Sequence, residues 1–253
     1  MRIDLNADVG ESFGAYDIGH DSELMRSITS ANVAAGFHAG DPGVLRATIR
    51  LAKSHGVAVG AHPGFPDLAG FGRREMHVSP REAEDLVLYQ IAAVGGVAHA
   101  EGVTLQHVKP HGALYNMAAR DAALAGAIAR AVVAYSHSLI LLGAPDSELL
   151  KAGRALGLRV AGEVFADRAY EADGSLVSRK KLGAIIHDAD VVVDRAVRMA
   201  KEGTVVAVDG SVVHLAADTI CVHGDTPGAD DLAARLRAAL QEAGVDVKPI
   251  AAS

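Results

Sequence analysis

Short runs rich in Val, Ile, Leu and Ala recur along the chain, separated by longer stretches with helical periodicity. The short runs predict strands over residues 3–6, 30–34, 57–60, 104–108, 139–142, 159–164, 205–208 and 219–222. Between residues 44 and 55, Val44, Leu45, Thr48, Ile49 and Ala52 share one face of a predicted helix. Gly56 stops it, with Lys53 and His55 in its last turn. A second helix opens on Ser79-Pro80-Arg81-Glu82, a capping box with Pro at the first helical position. It carries Leu86, Ile91 and Val94 inward and ends near Gly102. Further helical patterns cover residues 121–135, 146–156, 190–202 and 229–243.

This alternation predicts an α/β fold with a mostly parallel sheet. The strands read as near-continuous apolar runs, so both sheet faces should be buried. Residues 205–215 instead predict a β-hairpin around Asp209-Gly210. No Pro- or Ser-rich linker divides the chain, so one domain over residues 1–253 is expected. Roughly seven βα units fit that length, which makes a TIM-like (β/α) barrel with a small hairpin excursion the first choice. A doubly wound open sheet is the alternative.

Composition narrows the class. Half of the 253 residues are hydrophobic and 22% are charged, which supports a large core and excludes disordered or collagen-like chains. The single Cys, Cys221, cannot form an internal disulfide, so a reducing compartment is expected. The net charge of −7 argues against nucleic-acid or anionic-membrane partners. With no Trp and 4% aromatics, stacking platforms for bases are sparse. The N-terminus lacks the apolar region of a signal peptide, and no stretch reaches the roughly 18 apolar residues of a membrane span. A cytoplasmic protein is expected.

Polar residues gather just after the predicted strands. They are Asn6, Asp8 and Glu11; then His38 and Asp41; then His62 and Asp67; then Lys109 and His111, followed by Tyr115 and Asn116; then Asp167 and Arg168; and finally His223 and Asp225. In parallel α/β proteins the carboxyl ends of the strands carry the site. Neighbouring Gly and Pro residues hold such side chains at a fixed angle. A lone His is ordinarily half-buried filler, but His38, His62, His111 and His223 at four separate strand ends point to a site. Asp41 and Asp225 read equally well as helix N-caps. His20, His55, His77, His99, His137 and His187 read as solvated, and His214 sits in the hairpin. Arg73-Arg74 follows a Gly-rich loop and suits a carboxylate or phosphate, or simply the surface.

Two chemistries remain open. Asp8, His38 and His62 offer a carboxylate-plus-imidazole set for a divalent metal, though their separation gives no local ligand motif. His107 and His111 are four residues apart, but Pro110 excludes a helical pair. The metal-free reading uses Asp8 or a His as general base and Lys109 as an electrostatic clamp. P-loop and G-x-S-x-G motifs are absent, which argues against a P-loop nucleotide site and an α/β-hydrolase elbow.

Taken together, residues 4–11 (DLNADVGE), 32–42 (NVAAGFHAGDP), 60–64 (GAHPG), 70–74 (GFGRR), 108–116 (VKPHGALYN), 163–170 (EVFADRAY) and 221–225 (CVHGD) resemble the LamB/YcsF family. The resemblance runs nearly end to end. It implies an irregular barrel of the glycoside hydrolase/deacetylase type. It also implies ATP-dependent 5-oxoprolinase activity, opening 5-oxo-L-proline to L-glutamate together with 5-oxoprolinase subunits B and C. ATP is then a co-substrate, with Mg2+ accompanying it or a metal in the site. Under that implication Asp8 or His62 acts as base, and Lys109 and His111 stabilise negative charge. Arg73 or Arg74 holds the substrate carboxylate, and Asn6, Glu11, His38, Asn116 and His223 complete the binding surface. Two other readings stand beside it: a metal-dependent deacetylase or amidohydrolase of the same barrel type, and a non-catalytic ligand-binding subunit.

Overall fold

Asn6 and Asp8 interrupt the first apolar run, yet the strand continues through them. In the computed structural model, which describes residues 1–222 and 228–250, it is β1 (Arg2–Val9). The chain continues through α1 (Asp21–Leu24), β2 (Ser30–Ala34), α2 (Pro42–His55), β3 (Ala58–His62) and α3 (Pro80–Ala100). Next come β4 (Leu105–Val108), α4 (Gly112–Ala118), α5 (Ala122–Tyr135), β5 (Ile140–Gly143), α6 (Glu148–Ala155) and β6 (Arg159–Phe165). Then follow α7 (Ala189–Glu202), β7 (Thr204–Val206), β8 (Val212–His214), β9 (Thr219–Val222), α8 (Ala229–Glu242) and β10 (Asp246–Val247). The order β1-β2-β3-β4-β5-β6-β9 closes on itself through a β9–β1 pairing, giving a seven-stranded parallel barrel. β10 adds alongside the start of β1. β7 and β8 form the predicted hairpin outside the barrel, in antiparallel register.

Period-two alternation explains why β1 outruns its prediction. Ile3, Leu5, Ala7 and Val9 join the core beneath the helices, while Asp4, Asn6 and Asp8 face the lumen. The lumen is therefore polar, where apolar burial on both faces was expected. Asp4 accepts from Thr29 at 2.7 Å and Ser30 at 2.6 Å, and also from Thr219. Burial pushes the Asp4 carboxyl above its ordinary range, against the pull of these hydroxyls. Above it, Asn32 donates to Asn6 at 2.7 Å and to Asp8 at 2.9 Å, and its oxygen meets His107 Nε2 at 2.8 Å. Gly60 on β3 makes room for that ring: a Cβ there would lie 2.1 Å from His107 Nε2.

The helices follow their local signals. Asp41 caps α2 by accepting from Gly43 and Val44, and Gly56 ends that helix in the left-handed conformation at φ 68°. The capping box at Ser79 forms as read, with both reciprocal bonds present. Replacing Ser79 by Ala should lower stability by about 1 kcal/mol, read from denaturant unfolding. The inward stripe of α3 is Ala83, Val87, Ile91, Val94 and Ala98, so Val87 takes the place expected of Leu86. Gln90 lies on the same face. Its amide accepts from Gly64 N and donates to Gly64 O, each at 2.9 Å, and so fixes the loop after β3. Among the described residues no helix is long and apolar enough to cross a membrane.

Candidate active site at the barrel mouth

Strand ends bring the polar residues together. Lys109 follows β4 and is 2% exposed. Its Nζ lies 2.8 Å from Asp8 Oδ1, 2.8 Å from Glu163 Oε1, 3.0 Å from Cys221 Sγ and 3.3 Å from Asn6 Oδ1. Burial opposes the ammonium charge, but the Asp8 and Glu163 carboxylates, with Cys221 Sγ accepting a hydrogen bond, outweigh it and hold the group protonated well above its ordinary range. Burial in turn pushes the Cys221 thiol well up, so it stays neutral at physiological pH. The hydroxyl of Tyr115, on α4, is pushed up by burial and by the neighbouring Glu163 carboxylate.

Beside this ion cluster stand three imidazoles. His62 ends β3 and its Nδ1 meets the Lys109 carbonyl at 2.7 Å. His111 Nε2 meets the Phe71 carbonyl at 2.8 Å. The facing nitrogens, His62 Nε2 and His111 Nδ1, are 2.9 Å apart. His38 stacks on His111 with centroids 3.8 Å apart and 6° between planes. Burial holds His38 and His111 well below the ordinary imidazole range, so both are neutral. Glu11 Oε1 lies 3.6 Å from His38 Nε2 and 3.7 Å from His111 Nδ1. Glu11, His38, His62 and His111 thus present four donor atoms within 4.8 Å of one another, an arrangement able to hold a metal ion. The set differs from Asp8, His38 and His62: Asp8 is engaged by Lys109 and Asn32, with its Oδ2 3.3 Å from His62 Nε2, and Glu11 and His111 complete the group.

Phe71 occupies the left-handed region at φ 54°, a strained setting for a bulky residue. That conformation aims its carbonyl at His111, while its ring lies edge-on to His38 and His111. A cavity of about 950 Å³ opens above, with Asp8, Glu11, His62, Lys109 and His111 on its floor and Arg73, Arg120, Arg168 and Arg179 on its walls. Arg168 is buried and donates to the Ala184 and Val177 carbonyls. Burial, with Arg179 and Arg73 nearby, lowers its guanidinium to about 10.

The remaining expected residues separate by position. Asn6 lies under Lys109 in the lumen and does not line the cavity. His38 is fully buried behind His111. Arg73 sits on the wall with its guanidinium 4.9 Å above the Phe71 ring. Arg74 also borders the cavity, but its guanidinium is held by Asp67. Asn116, exposed on α4, also lines the cavity and donates to Gly112 O. His223 and Asp225 lie outside the described residues. His20, His55, His77, His99, His137 and His187 are exposed, as expected, and so is His214 in the hairpin. Glu163, Asn32 and His107 were not among the expected site residues. The signals for Glu163 were a charged residue inside an otherwise apolar strand and its place at the head of the 163–170 family motif.

A sequence model of the LamB/YcsF family matches residues 3–253. The chain belongs to the LamB/YcsF family. A Bacillus subtilis relative, named as the A component of 5-oxoprolinase, is 54% identical over 250 residues, covering 99% of this chain and 97% of its own length. The crystal structure of the lactam utilization protein from Thermus thermophilus superposes with a TM-score of 0.93 at 51% identity, covering 98% of this chain and 99% of that one. The catalytic domain of a peptidoglycan N-acetylglucosamine deacetylase from Eubacterium rectale reaches a TM-score of 0.51 at 11% identity, covering 99% of this chain and 88% of its own. That likeness shows the fold alone, and it agrees with the deacetylase-like barrel implied by the family motifs.

Proposed function

We propose that this LamB/YcsF chain takes part, with 5-oxoprolinase subunits B and C, in the ATP-dependent opening of 5-oxo-L-proline to L-glutamate, with ADP and phosphate as the other products. One observation carries the reading: the Lys109 ammonium is fixed between Asp8 and Glu163 on the floor of an arginine-walled cavity. Relatives more than half identical are named as the A component of 5-oxoprolinase, which supports the same substrate.

A five-membered lactam is stabilised by amide resonance, and its nitrogen leaves poorly. Transfer of the γ-phosphoryl group of ATP to the lactam oxygen activates the ring carbon. Water then adds to that carbon, the C–N bond breaks and the nitrogen takes a proton, leaving a γ-glutamyl phosphate, and a second water hydrolyses that acyl phosphate to the carboxylate and inorganic phosphate. Lys109 supplies a preorganised cation for the oxygen where charge develops. Asp8, with His62 in contact at 3.3 Å, takes the proton from water. While neutral, His111 has its one N–H on the Phe71 carbonyl, so it is not a donor to substrate. Arg73, on the cavity wall, suits the substrate carboxylate. The cavity exceeds a lactam several-fold, leaving room for a nucleotide with its Mg2+ or for a partner segment.

The test is glutamate release from 5-oxoproline, with and without ATP, by the chain alone and with subunits B and C of the same organism. Release that needs ATP and the full mixture supports the proposal. No release in any mixture overturns it. The four-donor cluster favours a second reading, metal-dependent amide hydrolysis, and ATP-independent release abolished by chelation would move that reading to first place.

A further inference from the structure

Hydrogen bonding fixes the proton positions on two of the buried imidazoles. A carbonyl oxygen only accepts, so His62 carries its proton on Nδ1, toward Lys109 O, and His111 carries its proton on Nε2, toward Phe71 O. The two nitrogens left over, His62 Nε2 and His111 Nδ1, then face each other at 2.9 Å as bare lone pairs. Two facing lone pairs at that distance need a cation to share. A single proton would satisfy that pair alone. It would leave His38, which is fully buried with neither ring nitrogen hydrogen-bonded, without any role for its Nε2 beside Glu11 Oε1.

We propose that Glu11, His38, His62 and His111 hold one divalent transition-metal ion of the zinc class. Three imidazoles and one carboxylate match the ligand preference of Zn2+, Co2+ or Fe2+, whereas Mg2+ and Ca2+ prefer an all-oxygen shell. The four donor atoms already lie within 4.8 Å of one another. Bringing them to the ~2.0–2.2 Å reach of imidazole and carboxylate ligands takes shifts of about an ångström or less. The carbonyls of Lys109 and Phe71 orient the two rings from behind, as outer partners of metal-bound histidines do. Two glycines leave the space. A Cβ at Gly64 would lie 2.6 Å from His38 Nδ1, and one at Gly72 would lie 2.8 Å from His111 Cδ2. An ion there borders the cavity floor beside Asp8, where it supplies Lewis-acid chemistry. The proposal does not depend on the ATP-coupled reaction, because binding itself is the readout.

The full chain, stripped with a chelator, is titrated with Zn2+ and separately with Mg2+ by calorimetry, and Co2+ loading is followed by visible absorption. One Zn2+ per chain, an intense tetrahedral-type Co2+ spectrum and no competition by a large excess of Mg2+ are expected. Glu11→Gln, which keeps side-chain shape, and His38→Ala should each weaken Zn2+ by about 100-fold or more, while exposed His55→Ala leaves affinity and stoichiometry unchanged. Circular dichroism confirms that each variant is folded. No stoichiometric Zn2+, or equal binding by the Glu11→Gln and His38→Ala variants, overturns the proposal. So does an imidazole 15N spectrum of the Zn2+-treated chain that still shows a proton shared between His62 and His111.

Discussion

Replacing Lys109 by Met should cut turnover by about three orders of magnitude or more, measured as kcat of the complete enzyme. The same change should lower stability by about 3–5 kcal/mol, because it leaves two buried carboxylates facing an apolar side chain. Asp8 and Glu163 are 8% and 1% exposed, and Glu163, away from the cavity, has no solvent to replace the missing ammonium. Stability and chemistry can be separated. In the double variant Lys109→Met/Glu163→Gln only one buried carboxylate remains, and it keeps the Asn32 amide as a donor. Denaturant unfolding should then recover most of the loss, while turnover stays down. Recovery of turnover in the double variant would reduce Lys109 to a scaffold for its carboxylates.

Gly60→Ala should be among the most damaging single-methyl additions in this chain, costing about 3 kcal/mol or more or leaving the protein insoluble. The added Cβ would fall 2.1 Å from a ring nitrogen, and the His107 ring has no free direction. It is fully buried, with Asn32 at 2.8 Å and Gln106 at 3.1 Å on its two nitrogens. Displacing it also releases Asn32, which holds Asp8. Gly96→Ala on α3 is the matched control: its Cβ would meet nothing within 4 Å, so it should be neutral or stabilise by about 0.5–1 kcal/mol. Similar unfolding midpoints for the two variants would contradict a His107 ring packed against Gly60.

These features also show where sequence reading succeeds. The capping box at Ser79 and the stop at Gly56 are encoded within a few residues and form as read, and the predicted hairpin forms too, though it turns through residues 208–210 and not on Asp209-Gly210 alone. The strand-end histidines His38, His62 and His111 were visible as imidazoles set among glycines, and they meet in one cluster. What local pattern could not carry was the lumen. Polar Asn6 and Asp8 look like loop residues until barrel closure supplies Asn32, Lys109 and Thr219 as their partners. Glu163 and His107 were hidden for the same reason, inside strands that read as apolar. Asp8 and Glu11 are three residues apart, and only the end of β1 separates one toward Lys109 and the other toward the imidazoles. Arg73 and Arg74 are adjacent, and the ion pair to Asp67 that distinguishes them depends on how the loop turns back on itself.

The polar lumen also bears on how the chain reaches this state. Asp8 and Lys109 are 101 residues apart, Lys109 and Cys221 are 112 apart, and Asn6 and Thr219 are 213 apart. Contacts of such long range are expected to form late, because their loop-closure entropy must be met before they contribute. Until β9 docks against β1, the carboxylates of Asp4, Asp8 and Glu163 remain hydrated, and their burial adds to the barrier for the closing step. Interactions made only after the transition state act mainly on the unfolding rate. The charged floor of the cavity is thus a latch on the finished barrel more than a seed for it, and its residues govern how long the closed state survives.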